Sequence, residues 1–412
     1  MVSSNAVPNA ALSPVDSTVP MDVATPGTVV PVLNSSARIP ALDGLRGIAI
    51  LLVLMVHSFL NPDFQFAHHP LLSWFIRMNR FDWSGVDLFF VLSGFLIGGI
   101  LLDARDSKNY FKTFYLRRAY RILPLYFLIL TVGWLTFQAG QVGWLRGPWA
   151  ELFSGRIPWW AFFTFTQNIM MARTGDRLAG RSGLSPTWSL AVEEQFYLTL
   201  PLVVRYASRR RLVQLVLGVI VGAPILRFSL MLYAPSWSYE PYLLTPCRAD
   251  ALGMGVLVAL AARDQRVWSW LRENRALIYA VAAILFLVFL GMDFSLVEPF
   301  SPRLFGAEYS LLAALYASVL LIAITAEDWF VRTLFCNKLL MKLGLIAYGT
   351  YLIHRSTLQL AHLWLGASGI RFSTGLWAAS MLLGLGGAIA LAQISWTWFE
   401  KPLVRRGHQY KY

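Results

Sequence analysis

The chain has 412 residues, 57% of them hydrophobic and only 14% charged, with a mean hydropathy of +0.54. A soluble protein of this length carries about 25% charged residues, so the composition excludes an ordinary soluble domain and indicates a polytopic membrane protein. A net charge of +13 would suggest nucleic acid in a soluble chain. Here the cations fall in loops between apolar runs, where they report topology, and no nucleic-acid partner is expected.

Residues 1–37 are rich in Pro, Val, Ser and Ala and hold no Lys or Arg. Without the basic start of a signal peptide they read as a disordered tail, not a cleaved leader. Ten apolar segments follow, near 44–61, 84–102, 119–137, 187–204, 212–233, 247–262, 277–292, 309–326, 343–364 and 373–398. An eleventh stretch, 157–171, is short and aromatic. With ten spans and the N-terminus inside, 23 of the 35 Lys and Arg lie on the inner side and 9 in outer loops. An eleventh span would move Arg205, Arg209, Arg210 and Arg211 outside, so 157–171 reads as interfacial or re-entrant. The expected fold is an all-α polytopic membrane bundle of about ten transmembrane helices with both termini cytoplasmic. Residues 38–405 form the membrane domain and 406–412 a short cytoplasmic tail. Cys247 and Cys336 fall on opposite sides, so neither a disulfide nor a thiolate metal site is expected.

The first span carries the sharpest pattern. Arg46 and His57 are eleven residues apart, which puts them about 20° apart on one helix face and roughly 16–17 Å apart along it. Ionisable groups inside a membrane helix are costly and are functional candidates by default. In this topology Arg46 lies near the cytoplasmic face and His57 in the outer third. Asp87, the adjacent Glu193 and Glu194, Arg227, Arg248, Asp250, His354 and Arg355 also fall in outer halves, as if round one polar cavity open to the outside. Several have a structural reading too. Asp87 can be an ion-pair partner of Arg248 or Arg227. Glu193 and Glu194 point about 100° apart and cannot both face the cavity. Ser93, Gly94, Gly98 and Gly99 favour close helix packing. Arg117, Arg118 and Arg121, after Lys108 and Lys112, are either the positive-inside signal or an anion site. Trp144, Trp149, Trp159 and Trp160 in the 138–186 loop anchor the interface or stack on sugars. His68-His69 has no third ligand nearby, and no metal site is expected.

The ordered set of motifs resembles the acyltransferase 3 family of integral-membrane acyltransferases. They are Leu42-Asp43-Gly44-Leu45-Arg46-Gly47 with His57; Gly85-Val86-Asp87 through Ser93-Gly94-Phe95; Arg117-Arg118-Ala119-Tyr120-Arg121; Pro186-Thr187-Trp188-Ser189 through Glu193-Glu194-Gln195-Phe196-Tyr197; Cys247-Arg248-Ala249-Asp250; Tyr351-Leu352-Ile353-His354; and Phe399-Glu400-Lys401-Pro402. The resemblance covers residues 38–405. It implies a ten-helix bundle in the plasma membrane that moves an acyl group, usually acetyl, from cytoplasmic acyl-CoA to a hydroxyl of an extracytoplasmic glycan, lipid-linked sugar or secondary metabolite. It puts the family's Arg and His pair on Arg46 and His57, its paired arginines on Arg118 and Arg121, and its acid on Glu193. Trp188, Arg248 and His354 are then candidates for the acceptor side. His354 lacks the Pro that often follows this His in the family. The esterase domain that many members carry is not expected in these residues.

The mechanism expected from both readings has Arg118 and Arg121 recruit the CoA phosphates, with Arg46 at the pore mouth, since guanidinium binds phosphate bidentately. His57 is the general base on the acceptor hydroxyl, oriented by Asp87 or Glu193, and Arg248 stabilises the oxyanion. No cofactor is permanently bound; acyl-CoA is the donor substrate. A multi-pass transporter or flippase is the alternative from another class, and a non-catalytic assembly subunit a third reading.

Overall fold

The computed structural model describes residues 39–59, 84–147, 150, 152–174, 182–233, 240–294, 302–325, 328–366 and 374–412. The expected tail at 1–37, the His68-His69 pair and Trp149 lie outside them. A long helix stands at each of the ten apolar segments, and no strand occurs among the described residues. In chain order they are α1 (Pro40–Phe59), α2 (Gly85–Asp103), α3 (Tyr110–Gln141), α4 (Trp188–Tyr206) and α5 (Arg209–Tyr233). Then come α6 (Thr245–Ala261), α7 (Arg275–Phe294), α8 (Pro302–Thr325), α9 (Ala347–Gly366) and α10 (Thr374–Ser395). Helix is what a lipid environment demands of such segments, because it satisfies every backbone polar group internally.

Among the described residues, seven helices are long and apolar enough to cross a membrane, or eight if α6 and Gln265–Glu273, bent 98° apart, form one span. The helices outside those seven have a physical reason for falling short. The helix α4 carries Glu193, Glu194 and Gln195, α9 carries His354 and Arg355, and α6 has only 17 residues. The segment 157–171 folds as two short helices, Trp159–Phe163 and Gln167–Thr174, with Phe165 at φ 52° between them, and neither is long enough to span.

The helix α2 forms the centre, with 72% of its apolar window buried, whereas α5 and α7 have 17% and face outward. Against α2 pack α1, α4, α6 and α8. The α2–α6 contact is backbone to backbone: a Cβ on Gly94 would lie 2.0 Å from the Leu252 carbonyl oxygen, and one on Gly255 2.1 Å from that of Val91. Only glycine permits that approach, and small residues of this kind bring membrane helices together. On the other flank α9 pairs with α10 and also meets α1. Beyond α10 a π-helical turn, Trp396–Glu400, leads into the helix Lys401–Gly407, which packs on α3.

Candidate active site

The polar residues singled out from the sequence separate into three clusters instead of lining one outward-facing cavity. The first surrounds a partly open cavity of about 290 Å³. Arg46, Arg118, Arg121 and His408 contribute its basic groups, and Ser93, Glu193, Tyr197, Tyr348 and Tyr351 also line it. Arg46 is tied to Asp43 at 2.9 Å, an i,i+3 pair at the start of α1. Arg118 and Arg121 are likewise three apart, which puts both on one face of α3. His408 is held below the ordinary histidine value, first by burial and then by the cations Arg117, Arg121 and Arg118.

Glu193 is fixed by neutral donors. Ser93 Oγ donates to its Oε1 at 2.9 Å and the Tyr197 hydroxyl to its Oε2 at 3.2 Å. Tyr197 is one turn along α4 from Glu193, the i,i+4 spacing that makes side chains neighbours. Glu194 is not part of the lining, in keeping with the 100° between adjacent helical residues. Its Oε1 is buried without a hydrogen-bond partner among the described residues.

The second cluster is a pair of imidazoles. The rings of His57 and His354 meet edge to face with centroids 4.8 Å apart. His57 Nδ1 lies 2.9 Å from the Val53 carbonyl and His354 Nδ1 2.7 Å from that of Tyr351. A carbonyl only accepts, so both Nδ1 atoms carry the proton and both Nε2 atoms keep a lone pair. His354 is fully buried, and its Nε2 has no hydrogen-bond partner among the described residues. Tyr351 joins the first two clusters. It lines the cavity, and its ring lies 5.7 Å from that of His354. Its hydroxyl is 2.5 Å from Ser189 Oγ and donates to the Pro186 carbonyl at 2.8 Å. Neither histidine is itself in the cavity lining.

The third cluster is ionic. Arg248 Nη2 donates to Asp87 Oδ1 at 2.5 Å, with both side chains buried. The guanidinium lies 4.0 Å from the Tyr309 ring centre and 5.3 Å from that of Tyr242. Trp188 packs on Tyr242 at 4.5 Å. A second buried pair adjoins it, Arg227 to Asp250 at 2.8 Å, with Ser310 bonded to both. Asp87 therefore takes the ion-pair role that the sequence left open, and it does not orient His57. The backbone of α1 does that instead, because Val53 O occupies the Nδ1 side of the ring.

Sequence reasoning missed Tyr197, Tyr351, Ser189 and His408. Helical spacing from Glu193 and from His354 was the available signal for the two tyrosines. His408 lies in a basic tail whose placement only the tertiary structure reveals. No group of three His, Cys, Asp or Glu side chains able to hold a metal occurs among the described residues.

The bundle thus holds a basic cavity and, through Tyr351, a contact from its lining to the paired histidines. The chain belongs to the acyltransferase 3 family, whose model, described as an acyltransferase domain, matches residues 39–396. It is 26% identical over 383 residues to the peptidoglycan O-acetyltransferase OatA of Listeria monocytogenes, covering 90% of this chain and 57% of that protein. It is 29% identical over 337 residues to a Bacillus subtilis protein provisionally named a peptidoglycan O-acetyltransferase, covering 78% of this chain and 49% of the other. A Staphylococcus aureus protein provisionally named an O-acetyltransferase is 25% identical over 389 residues, covering 90% and 58%. The chain thus spans about half to three-fifths of these relatives' length. No solved structure matches it.

Proposed function

We propose that the protein is a plasma-membrane O-acyltransferase that moves an acyl group, most simply acetyl, from cytoplasmic acyl-CoA to a hydroxyl of an extracytoplasmic glycan or glycolipid. The observation that carries this reading is a single cavity lined by Arg46, Arg118 and Arg121 and by Tyr351, whose ring is in contact with His354. Three guanidiniums suit the phosphates of CoA, each able to bind two oxygens at once. From Arg46 to His57 the helix rises roughly 16–17 Å, on the order of an extended pantetheine arm. The names of the relatives supply the acetyl group and the glycan hydroxyl.

In this scheme the acceptor oxygen attacks the thioester carbon while its proton passes to Nε2 of His57, the lone pair left by the Nδ1–H bond to Val53. The tetrahedral intermediate collapses by breaking the carbon–sulfur bond. The departing thiolate takes the proton back from the imidazolium, giving the ester and free CoA. His354, against the His57 ring, and Trp188 serve the acceptor side. Arg248 does so with Nε and Nη1, which have no hydrogen-bond partner among the described residues. Glu193 balances the arginines' charge along the donor path.

Membranes containing the wild type or His57→Ala, incubated with radiolabelled acetyl-CoA and an envelope fraction, test this. The wild type is expected to place label in an alkali-labile ester, and His57→Ala to lose at least about a hundredfold of that rate. Equal labelling by the two proteins would remove His57 from the chemistry.

A further inference from the structure

The sequence reading puts residues 401–405 at the end of the membrane domain and 406–412 in a short cytoplasmic tail. In the structure segment 401–412 is fastened to α3 beside the arginines of the cavity. Arg117 donates from Nε and Nη2 to the Tyr410 carbonyl at 2.9 and 2.6 Å, and Thr113 donates to that of Lys411 at 2.9 Å. The Arg117 guanidinium lies 4.9 Å from the Tyr412 ring centre, and Tyr120 and Tyr410 stack at 6.1 Å. Gly407 lets the two helices close up, since a Cβ there would lie 3.0 Å from Tyr120 Cβ. Arg117 and Arg118 are adjacent on α3 and point about 100° apart. One therefore holds the segment while the other faces the cavity. His408, the residue after Gly407, lines the cavity with Arg46, Arg118 and Arg121.

We propose that segment 401–412 is a wall of the donor mouth, with His408 a fourth group binding the phosphates of the donor and Arg117 the anchor that keeps it there. The ligand class is a nucleotide-linked thioester with several phosphates, so the proposal rests on the acyl-CoA reading above. A segment that served only to finish the bundle would not need to place an imidazole beside three guanidiniums at the cavity wall. His408 is exposed on one side, so its removal leaves the packing of Gly407 on Tyr120 in place.

The test is binding to the purified full-length protein in detergent or nanodiscs, using CoA, S-acetyl-pantetheine and inorganic pyrophosphate as probes. His408→Ala and Arg117→Ala are each expected to weaken CoA and pyrophosphate binding by about tenfold, the scale of one hydrogen bond to a charged group. Binding of S-acetyl-pantetheine, which carries no phosphate, should not change. The double variant should be little worse than Arg117→Ala alone, because both act through one unit. His408→Arg should restore affinity. Unchanged CoA binding in His408→Ala would overturn the proposal, as would equal losses for CoA and S-acetyl-pantetheine. A wild type that binds neither CoA nor pyrophosphate would overturn it too. Pyrophosphate binding that depends on His408 without any CoA binding would keep the mouth as an anion site and remove only the donor assignment. CoA binding without acyl transfer would instead count against the proposed function.

Discussion

At the scale of single residues, the strongest constraint is charge in a medium that cannot solvate it. Asp87 and Arg248 are buried together, 2.5 Å apart. Removing one partner strands the other, which costs about 3–5 kcal/mol, whereas replacing both with apolar groups is often neutral. Thermal unfolding in detergent should therefore show Asp87→Leu well below the wild type and Asp87→Leu with Arg248→Met close to it. Costs that simply add would contradict the pairing. The sequence revealed such residues unevenly. Arg46 and His57 were legible because helical periodicity alone puts eleven residues on one face. The adjacency of Glu193 and Glu194 likewise told that only one could face the cavity. The partner of Asp87 was not legible, since Arg227 and Arg248 were equivalent candidates until α5, α6 and α8 had packed. The orientation of His57 was misread for a related reason. A carboxylate was expected, but a helix already offers the i−4 carbonyl at no further cost in burial.

At the scale of elements, all ten apolar segments are helices, and the seven recognised by length and composition are those with few polar groups. The helices α4 and α9 fall short because they bring carboxylates and imidazoles to the site. Function thus weakens the hydropathy signal where it is most concentrated. Close approach of α2 and α6 depends on Gly94 and Gly255. Gly255→Val places a branched side chain against the backbone of α2, and overpacking of this kind costs about 1–3 kcal/mol or more. The expected result is a lowered midpoint in a thermal melt, with Asp87 separated from Arg248 and acyl transfer reduced. A wild-type melt would mean that the helices stand further apart than described.

For the whole molecule, the arrangement that matters is directional. Arg46 lies in the second turn of α1, Arg118 and Arg121 in the N-terminal half of α3, and His408 follows the last helix, so the basic groups gather toward one end of the bundle. Positive residues on the inner side of a membrane protein make that end the cytoplasmic one in the proposed topology. In the proposed scheme the nucleotide end of the donor stays on its own side, and the thioester end of its pantetheine arm reaches the histidines. Sealed inside-out vesicles offer the most direct measurement. Labelled acetyl-CoA is supplied to the outer, cytoplasmic-facing surface and an acceptor-bearing envelope fragment is enclosed in the lumen. The prediction is an alkali-labile acetyl ester inside wild-type vesicles, none with His57→Ala, and no entry of CoA itself. Label on acceptor at the donor's face, or undiminished lumenal label with His57→Ala, would contradict the account.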